Sequence, residues 1–213
     1  MSGQESQNLS CRCLRCRLQL RICVCKLMPC FDLRTQVVVL MQHKEFGIST
    51  NTGHFIPKIL KNAEIRFRGS LNQVPIQVND LIDDEYDSLL LFPGENTSVL
   101  TDNFVAALKK KPRLVVLDGN WRQAAKMIKR LPVLDRMKKV VLPALGPSRY
   151  RLRESPREDG VCTLEAVARA IGILEGGQCQ SAIENFFEVF VERYLWTRTL
   201  LKANEVTGGI PDL

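Results

Sequence analysis

No stretch of this 213-residue chain approaches the roughly 18 consecutive apolar residues that cross a bilayer. The amino terminus, MSGQESQNLS, lacks the apolar core of a secretory signal, so the expectation is a soluble, cytoplasmic protein. Histidine is scarce, with His43 and His54 the only two. Neither has a partner at a spacing diagnostic of general-base catalysis, so each is read as a hydrogen-bonding structural residue. Internal repeats, low-complexity tracts and long linkers are missing too. That leaves about one domain with at most a small appendage, long enough to bury roughly 70% of its unfolded surface.

What is present is basic charge and clustered cysteine. Lys and Arg total 30 against 23 Asp and Glu, a net charge of +7, and the pI is near 9.1, which favours a polyanionic partner such as nucleic acid. Six of the eight cysteines fall in CRCLRCRLQLRICVCKLMPC, residues 11–30. Without an export signal, and with the cysteines crowded at one end, a metal explains them better than disulfides. Cys13-x2-Cys16 and Cys23-x-Cys25 supply four thiolates suited to tetrahedral Zn2+; an iron–sulfur cluster and free or redox-active thiols are the alternatives, with Cys11 and Cys30 as substitute ligands. Four thiolates leave zinc no open position, so the site reads as a structural knuckle. Arg12, Arg15, Arg17, Arg21 and Lys26 interleave with the ligands, offset their charge and can reach phosphates. Cys162 and Cys179 stand alone and read as ordinary buried thiols.

The segment LVVLDGNWRQAAKMIKR, residues 114–130, runs from a buried strand through a polar turn into a helix. Ligands of α/β folds bind beyond the carboxyl ends of strands, where Asp118 and Trp121 stand. The alternative is that Asp118 caps the helix and Trp121 fills the core. Along the helix, Ala124, Met127, Ile128 and Leu131 fall on one side and Arg122, Lys126, Lys129 and Arg130 on another.

Residues 36–41, 64–68, 88–92, 113–117 and 139–142 read as strands. Helices are expected from a Thr50-Asn51-Thr52 cap to about Leu60, over 102–110, near 133–137, from Thr163 to about Leu174 and from about Ser181 to Leu201. Strands alternating with helices predict an α/β fold with a largely parallel sheet. In the last helix Ile183, Phe186, Phe187, Phe190, Val191, Tyr194 and Leu195 repeat at helical spacing and read as a core stripe, covering the sheet or a dimer partner. Residues 143–162 are too rich in Pro, Gly and charge for a regular element. There Arg149, Arg151, Arg153 and Arg157 surround Tyr150, an arrangement that can hold phosphate and stack on a base unless Glu154, Glu158 and Asp159 pair with the arginines. The division expected is a disordered stretch over 1–10, a zinc knuckle over 11–30 and one catalytic domain over 31–213.

Taken in order, the CxxC and CxC pairs, LLLFPGENT, VVLDGNWRQAAKM, SRYRLRESPRE and CTLEAVARAI resemble the DTW-domain family of tRNA-uridine aminocarboxypropyltransferases, from about Cys11 to Leu201, and are most similar to the bacterial type acting on uridine 47 of the variable loop. The resemblance implies a SPOUT-like mostly parallel sheet with a carboxyl-terminal knot, helices on both faces, and bound S-adenosylmethionine. It implies transfer of the 3-amino-3-carboxypropyl group to uridine N3, which forms acp3U and releases methylthioadenosine. Asp118 would accept the N3 proton, orient the reactants or hold the ammonium of the transferred group. Trp121 and Ala125 would pack on the cofactor, with Leu91, Phe92, Pro93, Gly94, Leu142, Thr163 and Leu164 framing it. Arg122, Lys126, Arg149, Arg151 and Arg153 would hold tRNA; the oligomeric state is open between monomer and homodimer. Two positions depart from the family: Asn120 stands where Thr or Ser is usual, and Cys162 where Ser is commoner. An RNA methyltransferase using the same cofactor and a non-catalytic zinc-containing RNA-binding protein are the rival readings.

Overall fold

The computed structural model describes residues 12–69, 75–144, 146–153 and 160–211. The stretch expected to be disordered, 1–10, lies outside these, as do Cys11, Glu154, Arg157, Glu158 and Asp159. Six strands, β1 (Gln36–Gln42), β2 (Ala63–Arg68), β3 (Tyr86–Leu91), β4 (Ser98–Val99), β5 (Lys111–Asp118) and β6 (Lys138–Val141), form one sheet in the order β2-β1-β5-β3-β6-β4. Every adjacent pair is parallel. That pattern fits β-branched runs buried on both faces.

Strand alternation divides the core. Val37, Val39, Met41, Leu114 and Val116 face a large cluster built with two closing helices, α6 (Thr163–Glu175) and α7 (Gly177–Thr197). Val38, Leu40, Val115 and Leu117 face a smaller cluster beneath α4 (Trp121–Arg130) and α5 (Pro132–Asp135). Helices therefore cover both faces. In α7, Ile183, Phe186, Phe187, Phe190, Val191 and Leu195 are buried and Tyr194 half-buried, so the aromatic stripe packs on the chain's own core. Removing one of these buried rings would cost about 3–5 kcal/mol. Among the described residues no helix is long and apolar enough to cross a membrane.

Several element boundaries differ from expectation. The helix expected over residues 50–60 is a 3-10 turn, Gly53–Phe55, followed by the single turn α2 (Ile56–Ile59). Asn51 caps only this short turn, its Oδ1 accepting from His54 N at 3.1 Å while its Nδ2 donates to Asp118 at 2.6 Å. The helix over 102–110 stops at Ala106, as α3 (Asp102–Ala106), and β5 starts two residues before its expected position, at Lys111. The last helix begins at Gly177, immediately after a glycine with φ of +114°, and ends at Thr197. The short helix α1 (His43–Phe46) and strand β4 carried too few residues to be read by periodicity.

Candidate active site

A cleft of about 680 Å³ opens at the carboxyl ends of β3, β5 and β6, between α4 and α6. Leu91, Phe92 and Pro93 form one side; Leu117, Gly119, Trp121 and Ala124 another; Leu142, Pro143, Gly146 and Pro147 a third; Val161, Thr163, Ala166 and Arg169 close it. This is where an open parallel sheet places ligands. A second depression of about 560 Å³ lies at the sheet edge by β2, but its one guanidinium, Arg66, is already held by Glu64 and Asp80 at 2.6 and 2.7 Å.

The DGNW turn divides its side chains between two surroundings. Asn120 caps α4: Gln123 N donates to Asn120 Oδ1 at 2.9 Å, and Asn120 N donates to Gln123 Oε1 at 2.6 Å. An amide thus replaces the hydroxyl usual at this position. Trp121, 36% exposed, lines the cleft with its ring centroid 5.7 Å from that of Phe92, so it does not fill the core.

Asp118 is only 3% exposed and is absent from the cleft wall. Its Oδ2 accepts from Asn51 Nδ2 at 2.6 Å, and its Oδ1 accepts from the Thr163 hydroxyl. Gly53 packs so closely that a Cβ there would lie 2.9 Å from the carboxyl carbon, so this turn admits only glycine. Burial raises the Asp118 pKa against the two hydrogen bonds, which act to lower it. Asp118 is therefore buried and does not cap α4; it ties the Asn51 turn to the start of α6 through Thr163, which lines the cleft.

Of the remaining expected cofactor residues, Leu91, Phe92, Pro93, Leu142 and Thr163 lie on the wall. Three do not. Gly94 sits beyond it in a turn closed by Thr97, Leu164 is buried with its N–H on Thr52 Oγ1 at 3.3 Å, and Ala125 is exposed on α4 while Ala124 takes its place. A helix turns 100° per residue, so a one-position error selects a different face.

The expected RNA contacts also separate. Arg122, Lys126 and Arg151 are exposed, and no ion pair engages them among the described residues. Arg149 pairs with Glu188 at 3.5 Å and Arg153 with Glu45 at 3.3 Å. The exposed Arg149 pair is worth about 0.2–1 kcal/mol, too little to withhold its guanidinium from a phosphate, whereas Glu45 is largely buried and holds Arg153 in a more sheltered pair.

At the amino-terminal end, Cys13, Cys16, Cys23 and Cys25 form a group able to hold a metal ion, with all four sulfurs within 4.8 Å of one another. Cys13 Sγ lies 3.5 Å from Cys25 Sγ, and Cys16 Sγ lies 3.6 Å from Cys23 Sγ. A tetrahedral centre with metal–sulfur bonds of about 2.3 Å requires sulfurs about 3.8 Å apart, so the set fits. Burial lifts the Cys16 thiol to about 11, with Cys23 adding to the rise, so only a cation would let four crowded thiolates coexist. Cys30 is exposed and outside the group.

The knuckle is bonded into the fold. His54 Nε2 lies 3.1 Å from Cys16 O and Nδ1 lies 2.7 Å from Asn51 O, so this histidine is structural and joins the knuckle to the turn that holds Asp118. On the other side Arg193 donates to Cys23 O and, at 3.0 Å, to Gly209 O. Sequence reading took Asn51 only as part of a helix cap and missed its contact with Asp118, and it missed Gly53, Glu165 and Arg169. For the last two there was a signal: an acid and a base four residues apart inside the otherwise apolar LEAVARAI.

A parallel α/β sheet with an apolar cleft at the carboxyl ends of its strands has the form in which open α/β folds receive small organic ligands. The chain belongs to the DTW domain family, whose model matches residues 10–195. It is 28% identical over 172 residues to tRNA-uridine aminocarboxypropyltransferase 2 of Drosophila melanogaster, covering 77% of this chain and 66% of that protein. It is 22% identical over 167 residues to the protein of the same name from Macaca fascicularis, covering 76% and 56%. The chain thus spans between about half and two thirds of these relatives. Among solved structures it is similar to the SAM-dependent rRNA:acp-transferase Tsr3 from Vulcanisaeta distributa, with a TM-score of 0.47 and 16% identity over 82% of this chain and 85% of that one.

Proposed function

We propose that this protein transfers the 3-amino-3-carboxypropyl group of S-adenosylmethionine to N3 of a tRNA uridine, at position 47 of the variable loop. The observation that carries the reading is the cleft itself: LLLFP, DGNW, the start of the 143–162 loop and the start of CTLEAVARAI, far apart in sequence, meet around one apolar space. The knotted threading implied by the family resemblance belongs to the same proposal.

In the reaction uridine N3 loses its proton and attacks the methylene carbon beside the sulfonium. The carbon–sulfur bond breaks, its electron pair stays on sulfur, and methylthioadenosine leaves as a neutral thioether. The nucleophile is the RNA base, so the protein's work is to hold two reactants in line. Trp121 offers an aromatic face that attracts the cationic sulfur. Thr163 has given its one hydroxyl proton to Asp118, so towards the cleft it can only accept, which suits the ammonium of the transferred chain. Asp118, with both oxygens engaged beneath the wall, acts through Thr163 and is a positioning residue. The N3 proton leaves through the open mouth to solvent.

Zn2+ is the metal we assign to Cys13, Cys16, Cys23 and Cys25. With four thiolates it is structural and takes no part in the reaction. Arg122, Lys126, Arg149, Arg151 and Arg153 hold the tRNA backbone, and the reaction is cytoplasmic. The test is transfer to unmodified tRNA from S-adenosylmethionine labelled on its carboxyl or its methyl carbon. Carboxyl label in RNA supports the transferase; methyl label makes the protein a methyltransferase. No label from either on a verified substrate leaves an RNA-binding protein.

A further inference from the structure

Glu165 and Arg169 lie four residues apart on α6, 3% and 8% exposed, and they form no ion pair with each other among the described residues. Burying a carboxylate and a guanidinium without mutual neutralisation is expensive, so their compensation must come from elsewhere. It comes mostly from one short piece of irregular chain, residues 146–149, with the N–H of Cys162 at the start of α6 as the remaining partner. Glu165 Oε1 accepts from Arg149 N at 2.7 Å, while its Oε2 accepts from Ser148 Oγ at 2.6 Å and from Cys162 N at 3.0 Å. Arg169 donates through Nη1 to Gly146 O at 3.2 Å and through Nη2 to Pro147 O at 3.1 Å. An acceptor-only side chain gathers donors from Ser148 and Arg149, and a donor-only side chain gathers the carbonyls of Gly146 and Pro147.

This segment belongs to no helix or strand, and no sheet ladder supplies its partners. Gly146 and Pro147 form part of the cleft wall, and Arg169 lines the cleft beside Thr163 and Ala166 of the same helix. We infer that Glu165 and Arg169 are a pair of positioning residues that fix the 146–149 wall and thereby set the affinity for S-adenosylmethionine. The inference rests on the transferase reading above. The guanidinium fork matters because it reaches two successive carbonyls at once, which a single ammonium cannot reproduce.

The experiment measures S-adenosylmethionine binding by calorimetry, tRNA binding, thermal unfolding and amide exchange at Arg149 in the whole chain, for wild type, Glu165→Gln, Arg169→Lys and Arg169→Ala. Expected are a loss of about tenfold or more in S-adenosylmethionine affinity for Arg169→Ala and Glu165→Gln, and a smaller loss for Arg169→Lys. tRNA affinity should fall by less than cofactor affinity, because the Arg149 guanidinium itself is kept, and the variants should remain folded. Arg149 amide protection should fall in Glu165→Gln even without ligand. Unchanged S-adenosylmethionine affinity in folded variants overturns the inference. So does a parallel loss of cofactor affinity, tRNA affinity and melting temperature across all three variants, which is the signature of general destabilisation. Wild-type protein that binds no S-adenosylmethionine overturns the transferase reading and with it the role in affinity, while the exchange result still shows whether the clamp holds the loop.

Discussion

The cysteine knuckle and the cleft are built by opposite strategies. The knuckle draws all four sulfurs from residues 13–25, so its geometry is a local property of the chain and two short spacings announce it. The cleft draws its wall from the end of β3, from β5 and the start of α4, from β6 with residues 142–144, 146 and 147, and from the start of α6, and exists only once the sheet has ordered them. The two nevertheless share a frame, because Cys16, Leu18, Ile22 and Val24 are buried in the same apolar cluster as α6 and α7, and His54 bonds the knuckle to the Asn51 turn. Local definition has not made the knuckle an independent unit.

That conclusion is the easiest to break. Cys16→Ser, or removal of metal by a chelator, is expected to cost at least about 4 kcal/mol of stability for the whole domain, since metal binding and burial of the knuckle are one event. Denaturant unfolding followed at α7 would show it. An unchanged midpoint would mean the knuckle folds and unfolds alone. The cleft should respond in the opposite sense: Trp121→Ala removes a partly exposed ring from the wall and is expected to lower transfer by about a hundredfold, some 2.7 kcal/mol, while the melting temperature moves little. A collapse in stability with activity per folded molecule intact would return Trp121 to the core.

The same contrast explains what the sequence disclosed. Parallel strands buried on both faces are legible as apolar runs, and the knuckle is legible as cysteine spacing. The DGNW turn marked the right strand end, but it could not say that Asp118 and Trp121 face different surroundings, because that depends on Thr163 arriving from 45 residues away. Likewise Ala125 and Ala124 are equivalent in composition and differ only by one step of helical rotation. Glu165 and Arg169 were visible as charges in an apolar helix, but their partner is an irregular loop with no periodicity to read.

Asp118→Asn sits between the two extremes, since this residue supports the cleft from within the core. The amide oxygen can still accept from Asn51 Nδ2, but the amide nitrogen then faces the Thr163 hydroxyl, which must turn from donor to acceptor, and the disturbance should cost about 1–3 kcal/mol. Because burial raises the folded pKa of Asp118 above its unfolded value of about 3.9, the native state holds the proton longer as pH rises. Its contribution to stability therefore falls from pH 4 upward until the folded group has ionised, and then levels off. Unfolding free energies of wild type and variant across pH 4–8 should show the wild-type advantage shrinking with pH. An advantage that grows instead would mean the two hydrogen bonds outweigh burial.

The smallest effects belong to the outer surface, where neither the cysteine cluster nor the cleft is touched. Lys126 on α4 is exposed and unpaired among the described residues, whereas Arg149 first gives up its contact with Glu188. Each phosphate contact releases about 0.7–0.9 of a counterion, so Lys126→Ala and Arg149→Ala should each weaken tRNA binding a few-fold and flatten the salt dependence by about that slope. The loss for Arg149→Ala should be the lesser, by whatever the Glu188 pair is worth in the free protein, at most about 1 kcal/mol. Binding curves at several salt concentrations separate the cases. Equal losses would mean the ion pair already opens in solution, and an unchanged slope for Lys126→Ala would place the RNA away from α4 and nearer the arginines of the knuckle, joining the two regions into one binding face.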